Sequence, residues 1–321
     1  QGCRVMNASA LPRPPVSFDE TAKLTFRITA MSVATAGVLT AVKLLGWLSG
    51  GSVALLASLA DSALDVLAAL ATFVAVRIAA TPPDAEHRFG HGKAEAFSSL
   101  LQAGLVFASA ALVGQAALMR LFHPKPVGAT GWALLIMALS TAMTLALVAA
   151  QTRILAKTRS VAVSGDRAHY AADLASNIAA LVGLGLARWS GEPRWDAAAG
   201  LLVALWLLWG AIKVFRDAGD HLMDRELGLD ERQRIVDCML KDPAIRNVHE
   251  LRTHASGARV HIQMHVDLDP DQTFEAAHRI IDAAEARLLA AFPTADVIIH
   301  PDPEGRAEPH GPFGQEAASR P

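Results

Sequence analysis

Along the first two thirds of the chain, long apolar blocks alternate with short polar ones rich in proline, glycine and basic residues. A soluble helix keeps a polar side, so unbroken apolar runs of about twenty residues read as membrane spans. Residues 24–48, 52–80, 94–122, 131–151, 161–189 and 195–215 therefore predict six spanning helices. The breaks between them carry turn chemistry. Gly50-Gly51 predicts a tight turn, 81–93 (TPPDAEHRFGHGK) a loop, and His123-Pro124 with Pro126 the end of the third span. Arg153, Lys157 and Arg159 predict a basic loop, and 191–194 another turn.

After Asp224 the pattern becomes that of a soluble domain. Residues 230–240 place Ile235, Val236, Met239 and Leu240 on one side of a helix, while 248–254 and 259–268 predict two strands joined at Ser256-Gly257. In the second strand His261, Gln263 and His265 alternate with apolar residues and share the face opposite the core. A helix over 272–291 and a strand over 296–300 complete an α-β-β-α-β order. The fold class is thus a six-helix transmembrane bundle followed by a small α+β domain. The expected organisation is a disordered arm at 1–20, a membrane domain at 21–222, an α+β domain at 223–303 and a disordered tail at 304–321.

Composition agrees: 52% of residues are hydrophobic and 19% charged, which argues against a soluble globular protein. The net charge of −2 gives no footprint for nucleic acid. Cys3 and Cys238 are too few for a disulfide framework or thiolate cluster, so any metal chemistry must use His and Asp. The start at Gln1 is expected to be processed or trimmed, and 1–19 lacks the apolar core of a signal peptide. Lys and Arg concentrate in the N-terminal arm, in the loops after spans two and four, and after span six. Both termini are accordingly expected in the cytoplasm, with the chain in the inner membrane. Lys43, near the end of span one, is expected to extend to the interface.

Between residues 52 and 80 Asp61, Asp65 and Arg77 are the only charged residues. A mid-bilayer carboxylate costs roughly 2.5–3.5 kcal/mol on insertion scales, and two at i, i+4 share a helix face and repel. Something must compensate. The fifth span offers His169 and Asp173 at the same spacing, and two facing helices would then converge three carboxylates and one imidazole. That donor set suffices for a four-coordinate divalent metal. Asp84, His87 and His91 in the loop also read as ligands, or equally as a solvated connection.

Six spans, two i, i+4 pairs, the loop FGHGKAE at 89–95 and the α-β-β-α-β domain together resemble the cation diffusion facilitator family. The similarity covers residues 24–303 and is closest to the bacterial ferrous-iron and zinc efflux branch, homodimers that exchange cytoplasmic metal for protons. The resemblance implies a transport site of Asp61, Asp65, His169 and Asp173, and a loop site of Asp84, His87 and His91. It implies a binuclear cytoplasmic site near the dimer interface, from His249, His265, His278, His300 and Asp302. His254 and His261 fall outside that pattern. Lys93 and Asp224 correspond to a salt bridge joining the membrane helices to the start of the cytoplasmic domain. Asp rather than His at position 61 implies broader metal selectivity. The transported and regulatory ions implied are Zn²⁺ or Fe²⁺, with cadmium or manganese also compatible and no organic cofactor.

An empty site of three close carboxylates would be driven to take up protons, so metal and protons compete for one set of lone pairs. Antiport follows, and no enzyme activity is expected. An intramembrane metalloprotease is the alternative, but no H-E-x-x-H is present; nor is a G-x-S-x-G. A membrane metal sensor or channel is the other, and a channel avoids tight four-ligand sites.

Overall fold

A computed structural model describes residues 18–50, 53–123, 131–190 and 194–306. The chain forms two compact units, one of residues 21–225 with 254–258, the other chiefly of 226–253 and 259–306. The first contains α1 (Phe18–Gly50), α2 (Val53–Ala79), α3 (Ala94–Phe122), α4 (Gly131–Thr158), α5 (Val161–Ser190) and α6 (Arg194–Leu222). Five of these six are long and apolar enough to cross a membrane. The other, α5, has 30 residues but carries Asp166, Arg167, His169 and Asp173, so its interior is the most polar.

α5 lies between two packed groups. Ile28 of α1 and Leu147 of α4 close on Val163 and Tyr170, while Val106 and Ala110 of α3 and Leu207 and Ala211 of α6 close on Ala172. Small residues let the backbones approach, as is usual where lipid supplies no hydrophobic drive between helices. A Cβ at Gly165 would stand 2.7 Å from Ser99 Oγ and 2.9 Å from Ser99 Cα, so only glycine permits this α3–α5 approach. Leu112, Leu202 and Phe215 point outward, each more than three-fifths exposed, as a lipid-facing surface requires.

Several boundaries differ from expectation. α4 continues to Thr158, so Arg153 and Lys157 ride on its last turns instead of forming a loop. Ile154 and Leu155 keep an apolar face packed there, which carries the helix on. α4 and α5 are joined by Arg159 and Ser160 alone, Arg159 at φ 53°. α6 extends past 215 because Ala218 remains fully buried. α1 begins at Phe18, with Asp19 and Glu20 favourably placed at its positive end, so the arm is helical there. Residues 1–17, 51–52, 124–130, with Pro124 and Pro126, 191–193 and 307–321 lie outside the described residues, while 304–306 form a turn.

The second unit contains α7 (Leu229–Met239), β1 (Asn247–Ser256), β2 (Arg259–Leu268), α8 (Phe274–Ala291) and β3 (Ala295–Pro303), the predicted order. The sheet runs β1-β2-β3, with β2 and β3 parallel and crossed over by α8. The hairpin turns one residue later than expected, at Gly257-Ala258, where Gly257 takes φ 59°. Thr273 caps α8 by accepting from the Ala276 amide. Ile262, Met264 and Val266 of β2 pack with Ile235, Met239 and Leu288 to form the core.

Candidate metal centres

α2 and α5 bring Asp65, His169 and Asp173 together, with ligand atoms all within 4.8 Å of one another. His169 Nε2 lies 3.0 Å from Asp65 Oδ1 and 3.8 Å from Asp173 Oδ2. Its side chain is only 7% exposed, and its Nδ1 is buried with no hydrogen-bond partner. Asp61, one turn before Asp65, is exposed and stands outside this cluster. Lys43 does not simply reach outward: its Nζ donates to Ser62 Oγ at 2.6 Å, beside Asp61. A cation adjoining the acidic pair was not anticipated, because a lysine near a helix end normally reads as an interface anchor.

The loop residues Asp84, His87 and His91 form a second cluster. His87 Nδ1 and His91 Nε2 each lie 3.4 Å from the Asp84 carboxylate, and the two rings stand 4.5 Å apart. The i, i+4 spacing of the histidines is not helical here. Pro82, Pro83 and Gly90 at φ 82° forbid a helix, and turns juxtapose the rings instead. The His87 amide donates to Asp84 Oδ1 at 2.6 Å, and this bond first of all holds the Asp84 carboxyl below the usual carboxylate range. Lys93 Nζ and Asp224 Oδ2 pair at 2.9 Å, both about two-fifths exposed.

In the sheet unit His249, His265 and Asp302 form the third cluster. Asp302, 10% exposed, lies 2.9 Å from His265 Nδ1, 3.4 Å from His249 Nε2 and 3.3 Å from His300 Nε2. β2 and β3 pair His265 with His300 and Asp267 with Asp302, so parallel register assembles the site. His278 does not join it: it is exposed on α8, paired with Asp282 at 3.6 Å and stacked on Phe274. His261 departs from the solvent-facing expectation, being 5% exposed and 3.2 Å from Asp296; His254 is half-buried.

Two further acids at this site escaped sequence reasoning. Asp267 Oδ1 lies 3.2 Å from His249 Nε2, and both atoms are buried without a hydrogen bond, as befits lone pairs aimed at a shared cation. Glu250 takes φ 47° within β1 and turns a nearly buried carboxylate to 3.9 Å from His265 Nε2. Asp267 does follow the alternation of β2 and could have been found from it. The positive φ of Glu250 leaves no sequence signal. This donor mixture of imidazole and carboxylate fits zinc or iron(II). An apolar cavity between α3 and α6 touches none of the three clusters.

Residues 29–223 match the cation efflux transmembrane domain and residues 227–304 the cytoplasmic domain of cation efflux proteins. The cation-efflux pump FieF of Klebsiella pneumoniae is 38% identical over 281 residues, covering 88% of this chain and 93% of the relative. FieF of Shewanella oneidensis is 41% identical over 275 residues, 85% of this chain and 92% of the relative. A solved structure of the zinc transporter CzrB in its zinc form is 32% identical, covering 26% of this chain and 98% of that one at a TM-score of 0.25. These relatives are transporters rather than enzymes. With a transmembrane match over most of the helical unit and a cytoplasmic match over the sheet unit, the chain belongs to the cation efflux family of multi-pass membrane metal transporters.

Proposed function

We propose that the protein exports zinc or iron(II), with cadmium or manganese as further cargo, from the cytoplasm in exchange for protons. It does so as a homodimer in the inner membrane, with both termini cytoplasmic. The observation that carries this reading is His169 Nε2 held between Asp65 and Asp173 inside the helical unit. The assembled cluster supplies two carboxylates and an imidazole, and Asp61, one turn away on α2, is the third carboxylate a bound dication would draw in. Once the dication leaves, repulsion among the carboxylates is relieved by protons on the same oxygens, so the two cargoes exclude each other. Movement that opens the site to alternate sides then couples opposite flows.

The loop cluster is read as a weaker, exposed site that tunes the loop, and the cytoplasmic cluster as a sensor. His249, His265, His300, Asp302, Asp267 and Glu250 provide donors for two ions, and His278, exposed on α8, is the ligand a second copy would bring. Metal bound there would bias the membrane helices toward transport. Lys93 and Asp224 are read as the tie at the membrane end of that route.

The test is uptake into reconstituted vesicles across a panel of divalent metals under an imposed pH gradient. Zinc or iron(II) flux that requires and dissipates the gradient is the expected result. Flux indifferent to the gradient overturns antiport.

A further inference from the structure

One turn from the metal cluster lies a buried polar network that the transport reading does not use. Asp166 is 1% exposed and accepts from Ser32 Oγ of α1 at 2.6 Å, Gln151 Nε2 of α4 at 2.8 Å and Gln102 Nε2 of α3 at 3.4 Å. Gln102 Nε2 also donates to Ala68 O at 3.2 Å and Thr72 Oγ1 at 3.0 Å, both on α2. Ser32, Gln151, Gln102 and Thr72 are fully buried. Among the described residues no lysine or arginine forms an ion pair with Asp166; neutral donors satisfy it.

Position gives this network its meaning. Asp166 is three residues before His169 on α5, and Ala68 is three residues after Asp65 on α2. At about 1.5 Å per residue, each lies about 4.5 Å along its helix from a ligand of the cluster. Gln102 therefore bridges the two ligand-bearing helices one turn from the ligands on both. Gly165, next to Asp166, is where α3 and α5 approach too closely for any side chain. An apolar residue at 166 would pack more cheaply, because a buried carboxylate is costly unless its hydrogen bonds are made.

We infer that Asp166 and Gln102 form a hydrogen-bonded anchor that sets the separation of α2 and α5, making Asp166 a positioning residue for metal binding at Asp65, His169 and Asp173. The inference rests on the transport reading of that cluster. The anchor works through hydrogen bonding rather than charge. An asparagine at 166 keeps the acceptor used by Ser32 and Gln151 and gives up only the longest bond. Its amide would renew the lost link by donating to Gln102 Oε1, which is buried without a partner.

The experiment compares Asp166→Ala, Asp166→Asn and Gln102→Leu in the full-length protein, reconstituted in vesicles, with zinc alone as probe. Losing a buried hydrogen-bond anchor is expected to raise the KM for zinc about tenfold in Asp166→Ala and Gln102→Leu. The maximal rate per folded protein should change by less than about threefold, and Asp166→Asn should return KM to within about threefold of wild type. Lower yield and melting temperature with an unchanged KM would mark a merely structural network and overturn the anchor. So would an Asp166→Asn variant as impaired as Asp166→Ala. If Asp166→Ala does not fold, the KM of Gln102→Leu decides. The transport reading fails separately, by Asp65→Ala retaining flux; the anchor fails when Asp65→Ala abolishes flux and Gln102→Leu leaves KM unchanged.

Discussion

The helical unit holds two clusters of the same ligand types, each with one i, i+4 pair, and they differ in what holds them. Asp65, His169 and Asp173 project from helices, and the His169 side chain is 7% exposed. Asp84, His87 and His91 hang from an irregular loop, with Asp84 and His87 more than half exposed. Spacing alone therefore does not make a strong site. A pre-organised ligand set spends little of its binding free energy on ordering, and a loop spends much of it. That contrast supports the roles proposed above, cargo binding for the helical cluster and a weaker, responsive site for the loop.

The largest effect should come from removing a helical ligand. Asp65→Ala or Asp173→Ala should cut zinc flux in vesicles by more than the about 10- to 100-fold typical of groups that only orient ligands, while the protein still folds and dimerises. Next is the scaffold. Gly165→Ala forces a methyl against Ser99 and should cost about 1–3 kcal/mol, read as a lowered melting temperature. Substituting His249 and His265 together with Ala leaves the helical ligands intact. It should remove one site's share of metal-dependent stabilisation, about 2.7 kcal/mol at a metal concentration 100 times Kd, measured by thermal melting with and without zinc.

The loop should give the smallest effect: Asp84→Asn should change flux by less than about threefold, as expected for an exposed carboxylate. Its pH behaviour sharpens the contrast. Asp84 is held below the usual carboxylate range, so what it contributes is present above that range and is lost only as pH falls through the lowered value. A loss of loop binding between about pH 7 and about pH 5.5 would therefore not come from Asp84. Zinc titration of an Asp65→Ala protein at both pH values measures it.

The helices and the two clusters of the helical unit were legible because apolar runs, turn residues and His and Asp spacings each carry their own signal, whereas the cluster of the sheet unit was legible only through the family resemblance. What stayed hidden is instructive. Asp166 sits in the first turns of α5, where an acid reads as an ordinary helix-start residue, and no periodicity marks Gln102 or Gln151 as its partners. The basic run Arg153, Lys157 and Arg159 looked like a loop because long cations are equally at home on a helix end. His261 was placed by strand alternation alone, which cannot tell whether a neighbouring strand edge covers it. Asp61 matched by spacing and His278 by family resemblance, yet their side chains stand away from the clusters.

The short join at Arg159 and Ser160 bears on how the machine works. Two residues span too little distance for α4 and α5 to slip past each other, so they make a stiff helical hairpin. On the transport reading proposed above, any movement of His169 and Asp173 would carry α4 with it. On that reading α4 and α5 would move as one two-helix unit rather than as separate rods.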